Sequence, residues 1–204
     1  MPFKKLHLNI KEKLESLEIT TPTSFQKASI PLIKSGANMY CNAAKDNGKT
    51  TTLILTTLHK LKCEAVGNAP RAIVLVENNE KASELYKEFL KYIKSNNSLR
   101  AYFADEKFHI DLLKSEIFEG IDILISTPIM ANKLLLFEGL NTTQVKIFSI
   151  DDAEFLSQNS SFTSLISVTQ SIQKCQFVVY SEKMNPALKR LDSYFMEFAK
   201  KVTI

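Results

Sequence analysis

Six short apolar runs rich in β-branched residues, at 38–42, 72–76, 99–104, 121–126, 145–151 and 176–181, recur along the chain with amphipathic stretches between them. Continuous apolar runs of this length read as strands covered on both faces, the pattern of a buried parallel sheet. Helical periodicity fills the intervals at 49–62, 81–95, 111–118, 130–137, 162–171 and 186–199. The alternation predicts an α/β fold of three layers, a mostly parallel sheet flanked by helices. Two further helices are expected ahead of the first strand, at 9–17 and 24–34, the second capped by Pro22, Thr23 and Ser24. The closing apolar residues 201–204 read as a last strand. No repeat, linker or low-complexity segment interrupts the pattern, so residues 1–204 are expected to form one domain.

Composition narrows the function. The 204 residues, 45% hydrophobic and 24% charged, suffice for one substantial core. Met1 to Glu18 carries Lys4, Lys5, Lys11 and Lys13 but no apolar run of signal-peptide length, and nothing later approaches a membrane span. A soluble intracellular protein, without a membrane partner, is expected. Cys41, Cys63 and Cys175 are odd in number and far apart, which predicts reduced thiols, and the three histidines have no metal-ligand spacing. The net charge of +4 permits nucleic-acid binding without demanding it.

Chemistry concentrates in two places. Ala43-Ala44-Lys45-Asp46-Asn47-Gly48-Lys49-Thr50 follows a predicted strand and opens a predicted helix, the setting a phosphate-cradling loop needs. Gly48 lets the backbone approach phosphates, Lys49 reaches the β and γ phosphates, and the Thr50 hydroxyl suits Mg²⁺. Read alone, Gly48-Lys49-Thr50 is equally a helix start, because Ala43 stands where the full pattern has its first glycine. The second place is the strand 145–150, which ends in Asp151-Asp152-Ala153-Glu154. That ending puts Asp151 at the carboxyl edge of the sheet, beside the loop, as a second Mg²⁺ group. A solvated acidic helix start is the alternative.

With these residues in place, the chain resembles the DEAD-box RNA helicases over essentially its whole length. Phe3 and Pro22-Thr23-Ser24-Phe25-Gln26 look like the family's adenine-reading Q motif, which assigns residues 1–34 to that region and Gln26 to the adenine contact. Residues 43–50 are similar to motif I, Asp151 to Glu154 to motif II, Ser181-Glu182-Lys183 to motif III, and Thr127-Pro128 to the opening of motif Ib. The resemblance implies a RecA-like P-loop domain with ATP and Mg²⁺ as ligands. It implies cofactor binding by Phe3, Gln26, Gly48, Lys49 and Thr50, and metal binding through Thr50 and Asp151. It further implies catalysis by Asp151 and Asp152, coupling through Glu154 and Ser181, and RNA contact at Thr127 and Pro128. A second RecA-like domain would complete the site.

The departures point to erosion. Asp46 replaces a motif I glycine; a carboxylate ~4 Å from a phosphate charge would cost about 4 kcal/mol at a dielectric of 20, roughly a thousandfold in affinity. Asp also tolerates left-handed backbone, which would let it turn outward. Asp152 is one methylene shorter than the family's water-activating glutamate, and a ~1 Å misplacement costs on the order of a hundredfold in rate. Lys183 replaces a small hydroxyl residue. The RNA arginine of motif Ia becomes Asn79 within Glu77-Asn78-Asn79-Glu80-Lys81, the glycine pair becomes Ala104-Asp105, and Ile129-Met130 follows Thr127-Pro128 where the family has Gly-Arg. Fewer cations weaken a phosphate track.

Two functions follow: a degenerate domain with weakened or lost ATP chemistry, kept as a protein- or RNA-binding scaffold, or the ATP-binding half of a working RNA helicase. The first resembles the degenerate DEAD-like domains of tudor-containing proteins in germline small-RNA pathways, with a cytoplasmic or nuclear setting such as a ribonucleoprotein granule. A GTPase or small-molecule kinase is disfavoured, since Asn132-Lys133-Leu134 is followed by Leu135 and not by the guanine-reading Asp. Ile129 and Met130, if exposed, suit a protein partner. Lys81, Lys87, Lys91 and Lys94 alternate with Glu80, Glu84 and Glu88 at helical spacing, the mark of a solvated ion-paired face.

Overall fold

The computed structural model describes residues 2–93 and 98–204. In chain order the elements are α1 (Leu8–Ser16), α2 (Ser24–Lys34), β1 (Met39–Asn42), α3 (Lys49–Lys60), β2 (Ala72–Leu75), α4 (Asn79–Ile93), β3 (Ala101–Phe103) and α5 (Ile110–Glu119). They continue with β4 (Ile123–Ser126), α6 (Pro128–Leu136), β5 (Ile147–Ile150), α7 (Asn159–Gln170), β6 (Gln176–Ser181), α8 (Pro186–Arg190) and β7 (Lys200–Thr203). The strands form one sheet in the order β3-β4-β2-β5-β6-β1-β7, parallel at every pairing. All carboxyl ends therefore lie along one edge, where a sheet of this kind binds ligands.

Period-two alternation within each strand serves two cores. Cys41, Val74, Ile125, Val178 and Tyr180 face α1 to α4, while Tyr40, Ile73, Leu75, Phe148 and Val179 face α5 to α8. Both faces are covered, which is why the runs carry no polar alternation. The expected helix at 186–199 is corrected: α8 ends at Arg190, and a tight 3-10 turn, Leu191–Ser193, follows. The amides of Tyr194, Phe195 and Met196 converge on the Leu191 carbonyl. Phe195 packs on Phe177 at 4.5 Å between centroids, and its carbonyl accepts from Asn38 Nδ2. These contacts turn the chain back toward β1, and a straight helix would carry it away. The expected end of the helix over 81–95, with Lys94, falls outside the described residues. On that helix Lys91 pairs with Glu88, one of the expected partners, while Lys81 reaches back to Glu77 ahead of the helix and not to Glu80 or Glu84.

A buried ion network holds the opposite, amino-terminal edge. Asp122 is fully buried between Arg71 and Arg100. Its carboxylate accepts from Arg71 Nη2 at 2.6 Å, from Arg100 Nε at 2.9 Å and from the Val66 amide at 3.1 Å. Burial acts to raise the Asp122 pKa, but the Arg100 and Arg71 guanidiniums and the two amides outweigh it and hold the carboxyl below its usual range. Asp122→Ala leaves two guanidiniums facing an empty space, and breaking a pair this buried costs about 3–5 kcal/mol. Urea unfolding at pH 7 should show that loss. The Asp122 contribution is present above the carboxylate's unfolded pKa and is lost as pH falls through the lower folded value.

The amino-terminal segment is pinned by a second contact, the His7 amide donating to His59 Nδ1 at 3.1 Å. Burial, reinforced by Lys34, His7 and Lys60, lowers the His59 pKa from 6.5 to about 4. Between those values the unfolded chain takes up a proton that the folded chain refuses, so stability falls as pH drops through this window. Urea titrations at steps from pH 7 to pH 4.5 should show the decline, and His59→Asn should flatten it.

Candidate functional site

The loop 43–50 leaves β1 and enters α3 at Gly48, whose φ of +84° is left-handed. A Cβ at Gly48 would lie 2.7 Å from Gln26 Nε2, so only glycine fits beneath that amide. Gln26 is itself fixed: its Oε1 accepts from the Thr23 amide at 3.0 Å, and its own amide donates to Thr23 Oγ1 at 3.1 Å. Thr23 in turn donates to the Asn47 carbonyl at 2.9 Å. This reciprocal cap of α2 therefore also hooks α2 onto the loop.

Lys49 is buried, and its Nζ donates to the carbonyls of Ala43 at 2.7 Å and Ala44 at 3.3 Å. The loop carbonyls thus occupy the ammonium that an anion would claim. Asp46 takes φ +63°, the left-handed region a glycine would use, and its side chain is exposed. Asp46 adopts the left-handed backbone that its side chain tolerates, so the loop keeps its turn without glycine there.

Asp151 stands at the end of β5, its amide bonded to the Leu75 carbonyl. Its Oδ2 lies 3.4 Å from Thr50 Oγ1, while its Oδ1 is buried without a hydrogen-bond partner in the chain. Burial, then the neighbouring Asp152, raises the Asp151 pKa to about 6. An orphaned carboxylate oxygen next to a hydroxyl is the donor set of a hard cation, so these residues fit Mg²⁺. Asp152 is half-exposed at φ +46°, with Oδ1 3.9 Å from Lys49 Nζ. Glu154 Oε1 accepts the Glu182 amide, and buried Ser181 Oγ accepts from Asn42 Nδ2. The Ser181 carbonyl also accepts the Ala43 amide at 3.1 Å. The ends of β1, β5 and β6 are thereby tied together through Glu154 and Ser181.

A cavity of about 670 Å³ opens beside Thr50, Asp151 and Asp152, with Lys45 and Lys81 on its wall. Lys81 escaped the sequence reading as a site residue because it sits on α4, far along the chain. Phe3 is buried in a short turn and lines a separate cleft of about 210 Å³ with Ile19, Thr20 and Pro22. Of the candidate residues Thr50, Asp151 and Asp152 line that cavity, Lys49 and Gly48 sit beside them in the loop with Gln26 against Gly48, and Phe3 lines the separate cleft.

Thr127 and Pro128 lie apart from this group, at the end of β4 and two strands away from β5. Thr127 caps α6 by accepting the Met130 amide at 3.2 Å, and Pro128 takes the first helical position. Ile129 is 52% exposed, but Met130 is 5% exposed and belongs to the core. The condition set for a protein-binding pair is therefore met by Ile129 alone, because consecutive helical residues point about 100° apart. Glu106, which the sequence reading did not single out, accepts a hydrogen bond from Thr127. Only its place beside Asp105 after β3 hinted at a role.

Comparison with known proteins supports the frame around these residues. The family model described as DEAD/DEAH box helicase matches residues 23–189, a span that includes every candidate residue except Phe3. The chain is 27% identical over 170 residues to the ATP-dependent RNA helicase DBP7 of Meyerozyma guilliermondii, covering 79% of the chain and 22% of that protein. It is 24% identical to DEAD-box ATP-dependent RNA helicase 57 of Arabidopsis thaliana, covering 96% of the chain and 36% of that protein. The chain thus spans well under half the length of these relatives. Among solved structures, a DEAD box protein from the hyperthermophile Methanococcus jannaschii superposes with a TM-score of 0.86 at 19% identity, over 98% of this chain and 54% of that one. S. cerevisiae Dbp5 bound to RNA and ADP BeF3 superposes with a TM-score of 0.80 at 19% identity, over 98% of this chain and 50% of that one. The parallel sheet with its carboxyl-edge loop is the RecA-like fold of these proteins, and the chain belongs to the DEAD/DEAH box helicase family.

Proposed function

We propose that this domain is a degenerate DEAD-box-like RNA helicase unit that holds an adenine nucleotide weakly, hydrolyses it poorly, and serves as a scaffold in RNA metabolism. The observation that carries the nucleotide part is the buried, unpartnered Oδ1 of Asp151 beside the Thr50 hydroxyl, with Asp46 left-handed and exposed in the loop above them. In this reading Lys49 exchanges the Ala43 and Ala44 carbonyls for phosphate oxygens. Thr50 and the free Oδ1 of Asp151 hold Mg²⁺, which screens the triphosphate charge. Gln26 reads the adenine edge, and Phe3 offers an aromatic face near Pro22. Asp152 takes the water-orienting role from a shorter side chain, while Glu154 and Ser181 link the loop to the end of β6.

The scaffold part rests on the edge formed by β2, β3 and β4, where Asn79 stands in place of an arginine and Ala104-Asp105 in place of a glycine pair. Protein is then the main partner and RNA a weak one. The setting is cytoplasmic or nuclear, in a ribonucleoprotein granule, and the erosion suits a germline small-RNA protein. A second reading, the ATP-binding half of a working helicase completed by another RecA-like domain, is favoured by the intact Thr50 and Asp151 pairing.

Titrating a fluorescent ADP analogue with Mg²⁺ tests the nucleotide part. Native chain should bind, Lys49→Ala should weaken binding at least tenfold, and Asp46→Gly should change it by less than about tenfold, since an exposed carboxylate is screened by water. No binding by the native chain, with strong binding by Asp46→Gly, would sink the nucleotide part and leave the scaffold alone.

A further inference from the structure

We propose that Glu106 is a specificity-determining residue whose carboxylate takes the Thr127 hydroxyl at the amino end of α6 and so keeps nucleic-acid phosphate from that hydroxyl. Helix amino termini attract anions through unpaired amides and the helix dipole. At α6 the capping hydroxyl is already engaged. The Thr127 hydroxyl accepts the Met130 amide and donates its single proton to Glu106 Oε1. A hydroxyl has one proton to give, so none remains for a phosphate oxygen.

Glu106 is held there by its neighbours. Its amide donates to Asn79 Oδ1 at 3.0 Å, and Asn79 Nδ2 donates to Asp105 Oδ1 at 2.9 Å. Asp105 also accepts the Lys107 amide at 2.9 Å. The Lys107 amide, with Asn79 behind it, keeps the Asp105 carboxyl below its usual range against a small opposing effect of burial. The ends of β2, β3 and β4 are therefore closed by one hydrogen-bonded clasp carrying two carboxylates. Beside it runs a groove of about 530 Å³ whose wall carries Lys87 and Lys107 together with Glu80, Glu84 and Asp105. Both lysines are exposed, as is Glu106 itself.

This inference rests on the reading that the edge descends from an RNA-facing one, and its test runs without nucleotide, so a failure of the phosphate loop does not affect it. The probe is a short fluorescein-labelled oligouridylate, followed by anisotropy at low salt with the 204-residue chain. Native chain should bind weakly, and Glu106→Ala should tighten binding by about threefold to tenfold, the hydroxyl being freed while the deleted carboxylate was already screened by water. Thr127→Val added to Glu106→Ala should remove the gain. Glu119→Ala, which deletes an exposed carboxylate at the far end of α5, should leave affinity unchanged. Unchanged affinity in a Glu106→Ala variant with a native thermal midpoint would overturn the proposal, as would an equal gain from Glu119→Ala. Should the alanine variant unfold, Glu106→Gln serves: it keeps an acceptor for Thr127 without the charge. A smaller gain then supports the gate, and no gain overturns it.

Discussion

A parallel sheet buried on both faces leaves little choice about where polar chemistry can sit. Its faces are sealed by helices, so charged groups collect at the two strand edges. In this domain the amino edge is closed by Asp122 with Arg71 and Arg100, and the carboxyl edge carries the phosphate loop, the acidic strand end and the α6 cap. The buried position of β1, paired to β6 on one side and β7 on the other, puts the loop beside Ser181 and within reach of Asp151. Each later feature of the site depends on that pairing.

The carboxyl edge divides into two halves that treat hydrogen bonding differently. On the β1, β5 and β6 side, Asp151 keeps a buried oxygen with no partner and Lys49 borrows loop carbonyls. Buried polar groups are rarely left unsatisfied, and those that are tend to await a ligand. On the β2, β3 and β4 side, Asn79, Asp105, Glu106 and Thr127 satisfy one another. Asp46 takes the left-handed backbone that glycine adopts most readily, and its carboxylate is exposed.

Much of this was readable from residue order. Continuous apolar runs at 72–76, 121–126 and 176–181 gave strands because their burial on both faces leaves no room for alternation. Gly48-Lys49-Thr50 marked the start of α3, and Thr127-Pro128 the start of α6, because capping and proline geometry are local. The stretch 186–199 misled, since helical periodicity there loses to the packing of Leu191, Phe195 and Met196 around β1 and β6. Met130 misled for the opposite reason: nothing local says which of two neighbouring apolar residues faces the core.

By itself the sequence determined the fold class, the strand and loop positions and the residue types at the phosphate loop, all of which follow from periodicity and local backbone chemistry. Tertiary structure alone decided two other things. It joined Asn79 to Asp105 and gave Thr127 to Glu106, 21 residues away. The reason is that each depends on which strands are neighbours. Strand order in a parallel sheet arises from long crossovers whose partners no local pattern specifies.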